Sequence, residues 1–579
     1  MRQNRTQHVF VCIAVLVILS MVVACAPTPA PAPTQAPPPT QAPPTQAPPT
    51  AAPAATATPA PKAGEPQKGG TITLGFEGAY EYQLWSWQAE MWHPDGMSHN
   101  ALIRIKNDLS ELIPELATKW DTSPDGKTYT FYLRKDVKWH DGEPFNADDV
   151  VFTFNAICNP KVGTVWGSQF FGGIEGFQDV KEGKADKLSG VKKIDDYTVQ
   201  LTFTSPAPIN LWWVGYLYIF PEHILGKIPP EQIKTADYWT KSRIGTGPFK
   251  FVSYTPKQSI VYERNDNYWG QKPYIDKAIW KIFDKAETAL LALEKGEIDT
   301  WDGYTAIPIT EIPRFQAMPH IQVMPGPSGV TNYIMIAEAN PKFPWGAKKE
   351  FRQALAYCID KKTLIDTMWA KNYAEPLAVS VLQKRYVKPD IKTYNYDPAK
   401  AKQLLDSINY DYNFEIDFNY YYASKFWDDL MAAMQAQIAK CGIKTKVALL
   451  DGPSWDQKFN KNWNNENGFM LGVAGHGIPL FPDDHFVLFM KEYPEGRNVS
   501  GWRNSKFDDL VAQVKQATSE EARTKLYYQI EDILVDELPE IALWMPHRPP
   551  GVNKRVQNSV WGPNYFNYYE NFQNWWLKQ

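Results

Sequence analysis

Three groups of residues in this chain are of types that could do chemistry. His140-Asp141 sets an imidazole beside a carboxylate, the combination a general base and its orienting acid would use. Asp483-Asp484 supplies two carboxylates, the pair that glycoside hydrolysis needs when the groups face each other across a sugar, roughly 5–9 Å apart. His93, His99, His476 and His485 are of a metal-ligating type. Spacing argues against all three. Adjacent residues in a tight turn do not aim at one point, and the histidines are too dispersed for a metal-ligand pattern, so they read as solvated-loop residues. The sequence has no phosphate-cradling glycine loop ending in Lys-Ser or Lys-Thr and no Gly-x-Ser-x-Gly. The expectation is a protein without catalytic residues, metal or cofactor. What stands out is 22 Trp and 30 Tyr, a content from which polar-flanked clusters could line a binding cleft.

The first elements that must position such a cleft are at the N-terminus. Arg2 and Arg5 precede Val9 to Ala24, an uncharged apolar run of 16 residues. That is short for a bilayer crossing, which needs about 20 residues, and suits the apolar region of a secretory signal. Val22-Val23-Ala24-Cys25 resembles the bacterial lipoprotein signal, which implies cleavage before Cys25 and acylation of its thiol. From Ala26 to Pro61 there is no charged or aromatic residue, and Thr-Gln-Ala-Pro-Pro recurs from Thr34, Thr40 and Thr45. Such a stretch has nothing to bury and reads as an extended spacer, able to hold a body up to roughly 100 Å from a membrane. Removing residues 1–24 leaves 58 basic and 64 acidic residues, a formal charge of −6, with no basic run for nucleic acid. Only Cys158, Cys358 and Cys441 remain beside Cys25, so at most one internal disulfide is available, and Cys358 and Cys441, on apolar helical faces, read as core residues.

The body after the spacer is long enough for two or three domains. Ile72, Leu74 and Phe76 alternate in a strand opened by Gly69-Gly70. Tyr129, Phe131 and Leu133 share one face of another, and Val199, Leu201 and Phe203 mark a third. Asn100 to Lys106 reads as helical. Asn146, with Asp149 three residues on, reads as a helix N-cap with an acid in the first turn. Gly245-Thr246-Gly247-Pro248-Phe249 precedes a strand through Tyr254, and Ala286 to Lys295 is a helix closed by Gly296. Phe351, Ala354, Leu355, Cys358 and Ile359 predict one helix over Lys348 to Thr367, and Met431, Met434, Ile438 and Cys441 another from about Asp428. Strands and helices mix throughout, so the class is α/β or α+β with more than one lobe.

Several runs in order carry a resemblance: Ile113 to Trp120, Asp125 to Arg134, Val137 to Val150, Gly69-Gly70-Thr71, Gly245 to Phe249, Asn267-Tyr268-Trp269, Gly296 to Asp299 and Phe351 to Tyr357. Together they resemble the family 5 extracellular solute-binding proteins, the peptide- and nickel-type receptors of ABC importers, across residues 68–579. The resemblance implies a two-lobed fold of the hinge-closing, periplasmic-binding-protein type. The first lobe would take 67–98, 238–328 and 546–579, an inserted domain 99–237, and the second lobe 329–545. Residues 1–24 would be the signal and 25–66 the anchored spacer. Strands would cross between the lobes near Ser328 to Met335 and Ile541 to Pro546, and His140-Asp141 becomes a structural turn.

The family also implies a site. A segment after the first strand would offer Glu77, Tyr80, Tyr82, Trp85 and Trp87, and the crossing strand Asn332 and Tyr333. In the second lobe, a loop that in peptide receptors carries an Asp for the peptide ammonium corresponds here to Leu471 to His476 and on to Asp483, Asp484 and His485. It departs from that pattern, with Val473 for a Trp and Gly475 or His476 near the Asp, unless Asp483 or Asp484 takes over. Tyr420-Tyr421-Tyr422 with Trp427, together with Trp85, Trp87 and Trp455, could instead stack on sugar rings. The implied function is capture of a short peptide and its delivery to membrane permease subunits by a monomeric, lipid-anchored receptor outside the cytoplasm. The alternatives are an oligosaccharide in the same role and a membrane-tethered hydrolase.

Overall fold

A computed structural model of the chain describes residues 65–77, 95–164, 167, 170–301, 306–324, 326, 328–369, 373–462, 464–477, 481–490, 498, 500–559, 561 and 571–578. Cys25, with the signal and spacer readings, lies outside these residues. Strand β1 (Thr71–Glu77) buries Ile72, Leu74 and Phe76, as the alternation requires. The chain then enters a separate stretch built on β2 (Ile103–Ile105), β3 (Leu112–Pro114), β4 (Ala117–Thr122), β5 (Thr128–Leu133), helix α1 (Ala147–Cys158), β6 (Val191–Asp195), β7 (Thr198–Thr202) and α2 (Ile209–Tyr216). The helix expected over Asn100 to Lys106 is not formed; Ile103–Ile105 pairs antiparallel with Leu112–Pro114 instead. Isoleucine-rich and three residues deep, the segment gains more from a strand partner than its weak helical period provides. The Asn146 cap is present as a full capping box, with Asn146 accepting from Asp148 N and Asp149 accepting from Asn146 N.

The chain returns through β8 (Phe249–Thr255), β9 (Ser259–Arg264), β10 (Lys277–Phe283), α3 (Ala286–Glu294), β11 (Thr300–Trp301) and β12 (Ile321–Val323). A second body follows: β13 (Val330–Ile336), α4 (Lys349–Tyr357), α5 (Lys361–Met368), β14 (Ala374–Pro376), β15 (Glu415–Tyr420), α6 (Lys425–Lys440), β16 (Lys444–Leu449), β17 (Leu471–Gly477), α7 (Pro482–Phe486), α8 (Ser505–Gln516), α9 (Glu520–Glu537) and β18 (Glu540–Pro546). Then β19 (Gly551–Asn553) rejoins the first body. Among the described residues, one sheet runs β12-β19-β11-β1-β10-β9-β8 and the other β14-β18-β13-β17-β15-β16. Beginning and end of the chain thus share the first sheet, and the middle owns the second. The inserted stretch carries its own sheet, β4-β5-β7-β6.

Two expectations are corrected in the second body. The helix over Lys348 to Thr367 is two, broken at Cys358 to Asp360, because Asp360 caps the second by accepting from Thr363 N. Cys358 and Cys441, read as separate core residues, form a disulfide that joins the ends of α4 and α6, with Cα atoms 6.1 Å apart. Both are buried, as expected of apolar helical faces; the sequence carried nothing to show that the two faces meet.

Candidate functional site

The two sheets are joined by two segments that run side by side. From β12 to β13 and from β18 to β19 the chain crosses between bodies, with Met324 N–H donating to Pro550 O (3.0 Å), Arg548 N–H to Gly326 O (2.5 Å) and Ser328 N–H to Pro546 O (3.1 Å). A side chain at Gly326 would start 2.2 Å from Arg548 O, so the approach needs glycine. Beside this ribbon the bodies exchange residues. Ile309 of the first lies in the core of the second, among Tyr333 and Ile334, and Tyr373 of the second lies in the core of the first, among Leu293, Ile312 and Phe315. The Tyr373 hydroxyl accepts from Gln316 Nε2 (3.0 Å), and its carbonyl accepts from His547 N–H (2.9 Å). A paired ribbon flanked by reciprocal plugs is a connection that bends more readily than it slides.

The inserted stretch is fixed to the first body. Within the first body, a Cβ at Gly245 would lie 1.7 Å from Ser98 O and one at Gly247 2.7 Å from Met97 O, which explains the Gly-Thr-Gly run. His140 clamps the same run: Gly245 N–H donates to Nδ1 (3.1 Å), so Nε2 carries the proton that bonds Gly247 O (3.0 Å). Burial drives the His140 pKa down to about 4. The ring is a neutral structural pin, and Asp141 pairs instead with His223 (2.9 Å).

The site residues expected from the sequence lie on several elements of both bodies. Glu77 ends β1, in register with Phe283; Tyr80, Tyr82, Trp85 and Trp87 lie outside the described residues. Asn332 and Tyr333 are on β13, in register with Gly475 and Ala474 of β17, and His476 pairs with Thr331. Asn332 is buried and accepts from Trp544 Nε1 (3.2 Å). Gly475 is hemmed in by the Tyr422 hydroxyl and Asn332 Nδ2, which a Cβ would meet at 2.5 and 2.9 Å. Tyr333 faces the other way, toward His485 and Glu540, where burial raises its pKa well above 10.

His485, read from sequence as a solvated-loop residue, is buried, with Nε2 3.0 Å from Glu540 Oε1; Ser380 Oγ donates to the same oxygen (2.6 Å). The half-buried His476 ring is 5.6 Å from that of His485. His99 is also buried, bonded to the Tyr238 hydroxyl (2.7 Å) and Ser98 Oγ (2.9 Å). His93 lies outside the described residues.

Asp483 is 7% exposed and committed: Arg523 donates to it at 3.0 Å and the Tyr527 hydroxyl at 2.5 Å. A carboxylate neutralised by a buried guanidinium is poorly placed to serve as a ligand's ammonium anchor. Asp484 stands in α7, and its side chain is not among those described. Arg523 itself had no sequence signal, since an arginine within an amphipathic helix reads as surface.

Trp427 and Trp455 are buried, the former 1% exposed, in two ring stacks that meet at a tilted Tyr421–Trp455 contact. Ring centroids are 4.2 Å apart for Trp427–Tyr422, 4.4 Å for Tyr422–Tyr421, 4.4 Å for Tyr421–Trp455, 3.5 Å for Trp455–Phe459 and 4.1 Å for Phe459–Phe469. The sugar-platform reading fails for both tryptophans because their faces lie against neighbouring rings. Tyr421, half-buried, is the member of the stack nearest solvent.

Comparison with known proteins now decides the family. A family model described as "Bacterial extracellular solute-binding proteins, family 5 Middle" matches residues 111–496. This chain belongs to that family. It is 30% identical over 496 residues to the dipeptide-binding protein of Escherichia coli, covering 82% of this chain and 88% of the relative. It is 25% identical over 541 residues to the oligopeptide-binding protein AppA of Bacillus subtilis, covering 89% and 93%. The solved structure of the ABC transporter substrate-binding protein CtaP from Listeria monocytogenes aligns with a TM-score of 0.73 at 24% identity, covering 89% of this chain and all of that one. The two-sheet body described above is the fold of this family.

Proposed function

We propose that this chain is the receptor of a bacterial ABC importer, that it captures a short peptide between its two bodies, and that it hands the peptide to permease subunits in the membrane. The observation that carries the reading is the paired crossing ribbon, which lets two bodies with sheets of their own close on a solute. The likeness to a dipeptide-binding relative supports a peptide as the solute. The face-to-face burial of Trp427 and Trp455 supports it further, since it removes two of the rings that an oligosaccharide would need. Asn332 and His476 on adjacent strands, with Tyr421 and Tyr333, are the described residues proposed to face or frame the peptide, and Glu77, Tyr80, Tyr82, Trp85 and Trp87 are proposed for the opposite wall. The proposed state is a monomer tethered through acylated Cys25 to the outer face of the cytoplasmic membrane, with residues 25–66 as the reach of the tether.

The test is a thermal-shift screen of di- to pentapeptides against cello-, xylo- and manno-oligosaccharides. A peptide supplied at 100 times its dissociation constant stabilises the folded chain by about 2.7 kcal/mol and raises the melting temperature. Stabilisation by sugars alone would overturn the peptide reading, and turnover of any compound would overturn the receptor reading. Replacing Cys25 with Ser is expected to move the protein from the membrane fraction to the soluble extracytoplasmic fraction.

A further inference from the structure

The inserted stretch touches the second body beside the Asp483–Arg523 pair. Trp212 on α2 meets Phe481 edge to face, with ring centroids 5.6 Å apart, and both are buried. Arg385 donates to Ser110 O, and Thr518 Cγ2 lies 3.8 Å from where a Cβ on Gly126 would be. Hydrophobic residues of the inserted stretch and of α8 and α9 therefore form one continuous cluster. The second body holds its half of the contact rigid. The Arg523 guanidinium lies over the Phe481 ring at 4.9 Å, held there by Asp483 and Tyr527, while Tyr386 packs at 5.8 Å from Phe481.

The inserted stretch is pinned to the first body by the His140 bonds to Gly245 and Gly247 and by the Arg134–Trp269 contact at 4.6 Å. It therefore travels with the first body whenever the crossing ribbon bends. Trp212 and Phe481 sit on opposite sides of that bend. Among the described residues, Trp212 and Phe481 have no backbone bond to the ribbon, whereas Tyr373 accepts from His547 N–H (2.9 Å).

We infer that Trp212 and Phe481 are positioning residues that form a latch, holding the two bodies together around a captured solute and parting when the ribbon opens. The inference rests on the hinged-capture reading but not on the solute's chemical class. It also gives the buried Asp483–Arg523 pair a role, which is to fix the ring that the inserted stretch grips.

Spin labels at Lys192→Cys on β6 and Lys515→Cys on α8, in the mature chain with Cys25→Ser, report the separation across the latch by pulsed electron resonance without any solute. Trp212→Ala and Phe481→Ala are each expected to raise the ratio of long to short distances roughly tenfold, the scale for losing a buried aromatic anchor between two-state bodies. Trp212→Phe should keep the original distribution, and the double alanine variant should match the singles, because one contact is lost in all three. An unchanged distribution in both alanine variants, with circular dichroism showing them folded, would overturn the latch. So would additive effects in the double variant. Neither outcome depends on whether peptides bind in the thermal screen.

Discussion

At the scale of single residues, the groups that look most reactive in the sequence are those the fold has already committed. His140 is neutral because burial disfavours the charged ring, holding its pKa down at about 4 against an ordinary 6.5 although the bond to Gly247 O pulls the other way. As pH falls through 6.5 the unfolded chain takes up this proton before the folded one does, so stability declines between about pH 6.5 and 4 and levels off below. The half-buried ring limits the loss to about 1–3 kcal/mol. Urea unfolding at pH 7 and pH 5 checks this, and His140→Gln should be less stable at pH 7 with a shallower loss over the same window. Asp483→Asn leaves Arg523 charged, buried and unpaired, and is expected to cost about 3–5 kcal/mol. Replacing Asp483 and Arg523 together with Leu should recover much of it. A loss of peptide affinity from Asp483→Asn with no loss of stability would restore the carboxylate as a ligand anchor. Position 483 could be read as acidic from sequence; that its partner is Arg523, 40 residues on, could not.

At the scale of elements, periodicity served where one element packs by one face and failed where a partner is remote in sequence. The alternation of Ile72, Leu74 and Phe76, the Asn146–Asp149 box and the helix closed by Gly296 are local patterns, and each is found. The break between α4 and α5 was hidden because apolar spacing continues through Cys358 and Ile359 while Asp360 restarts the helix. The motif around Phe351 to Tyr357 has a packing reason. Buried Arg352 bonds Glu338 (2.9 Å) just past β13 and Glu537 (3.2 Å) at the end of α9, tying together the far ends of both crossing strands. The Cys358–Cys441 bridge joins ends 83 residues apart. Reduction is expected to lower stability by about 2–4 kcal/mol, read as a drop in melting temperature with a reductant that is absent when both are Ala. An unchanged melting temperature on reduction would mean that the bridge does not form in the expressed protein.

At the scale of the whole molecule, the resemblance implied two lobes and an insertion, whereas the contacts between the parts had no sequence signal. Ile309 and Tyr373 sit in each other's cores across the crossing ribbon, and nothing in their sequence neighbourhoods marks an exchange. Tyr373→Phe removes the bond from Gln316 and leaves the ring's packing, so it should cost about 1 kcal/mol, measured by urea unfolding, whereas Tyr373→Ala should cost about 3–5 kcal/mol. The larger loss follows because the cavity opens at the joint between the bodies. The central claim, capture of a short peptide by closure of two bodies, is tested most directly by titrating the mature chain with defined di- to pentapeptides in a calorimeter at several temperatures. One site per chain is expected, with micromolar or tighter affinity, about 8 kcal/mol or more, and a negative heat-capacity change as apolar surface is buried. No binding heat from any peptide, or hydrolysed peptide in the cell afterwards, would contradict the account.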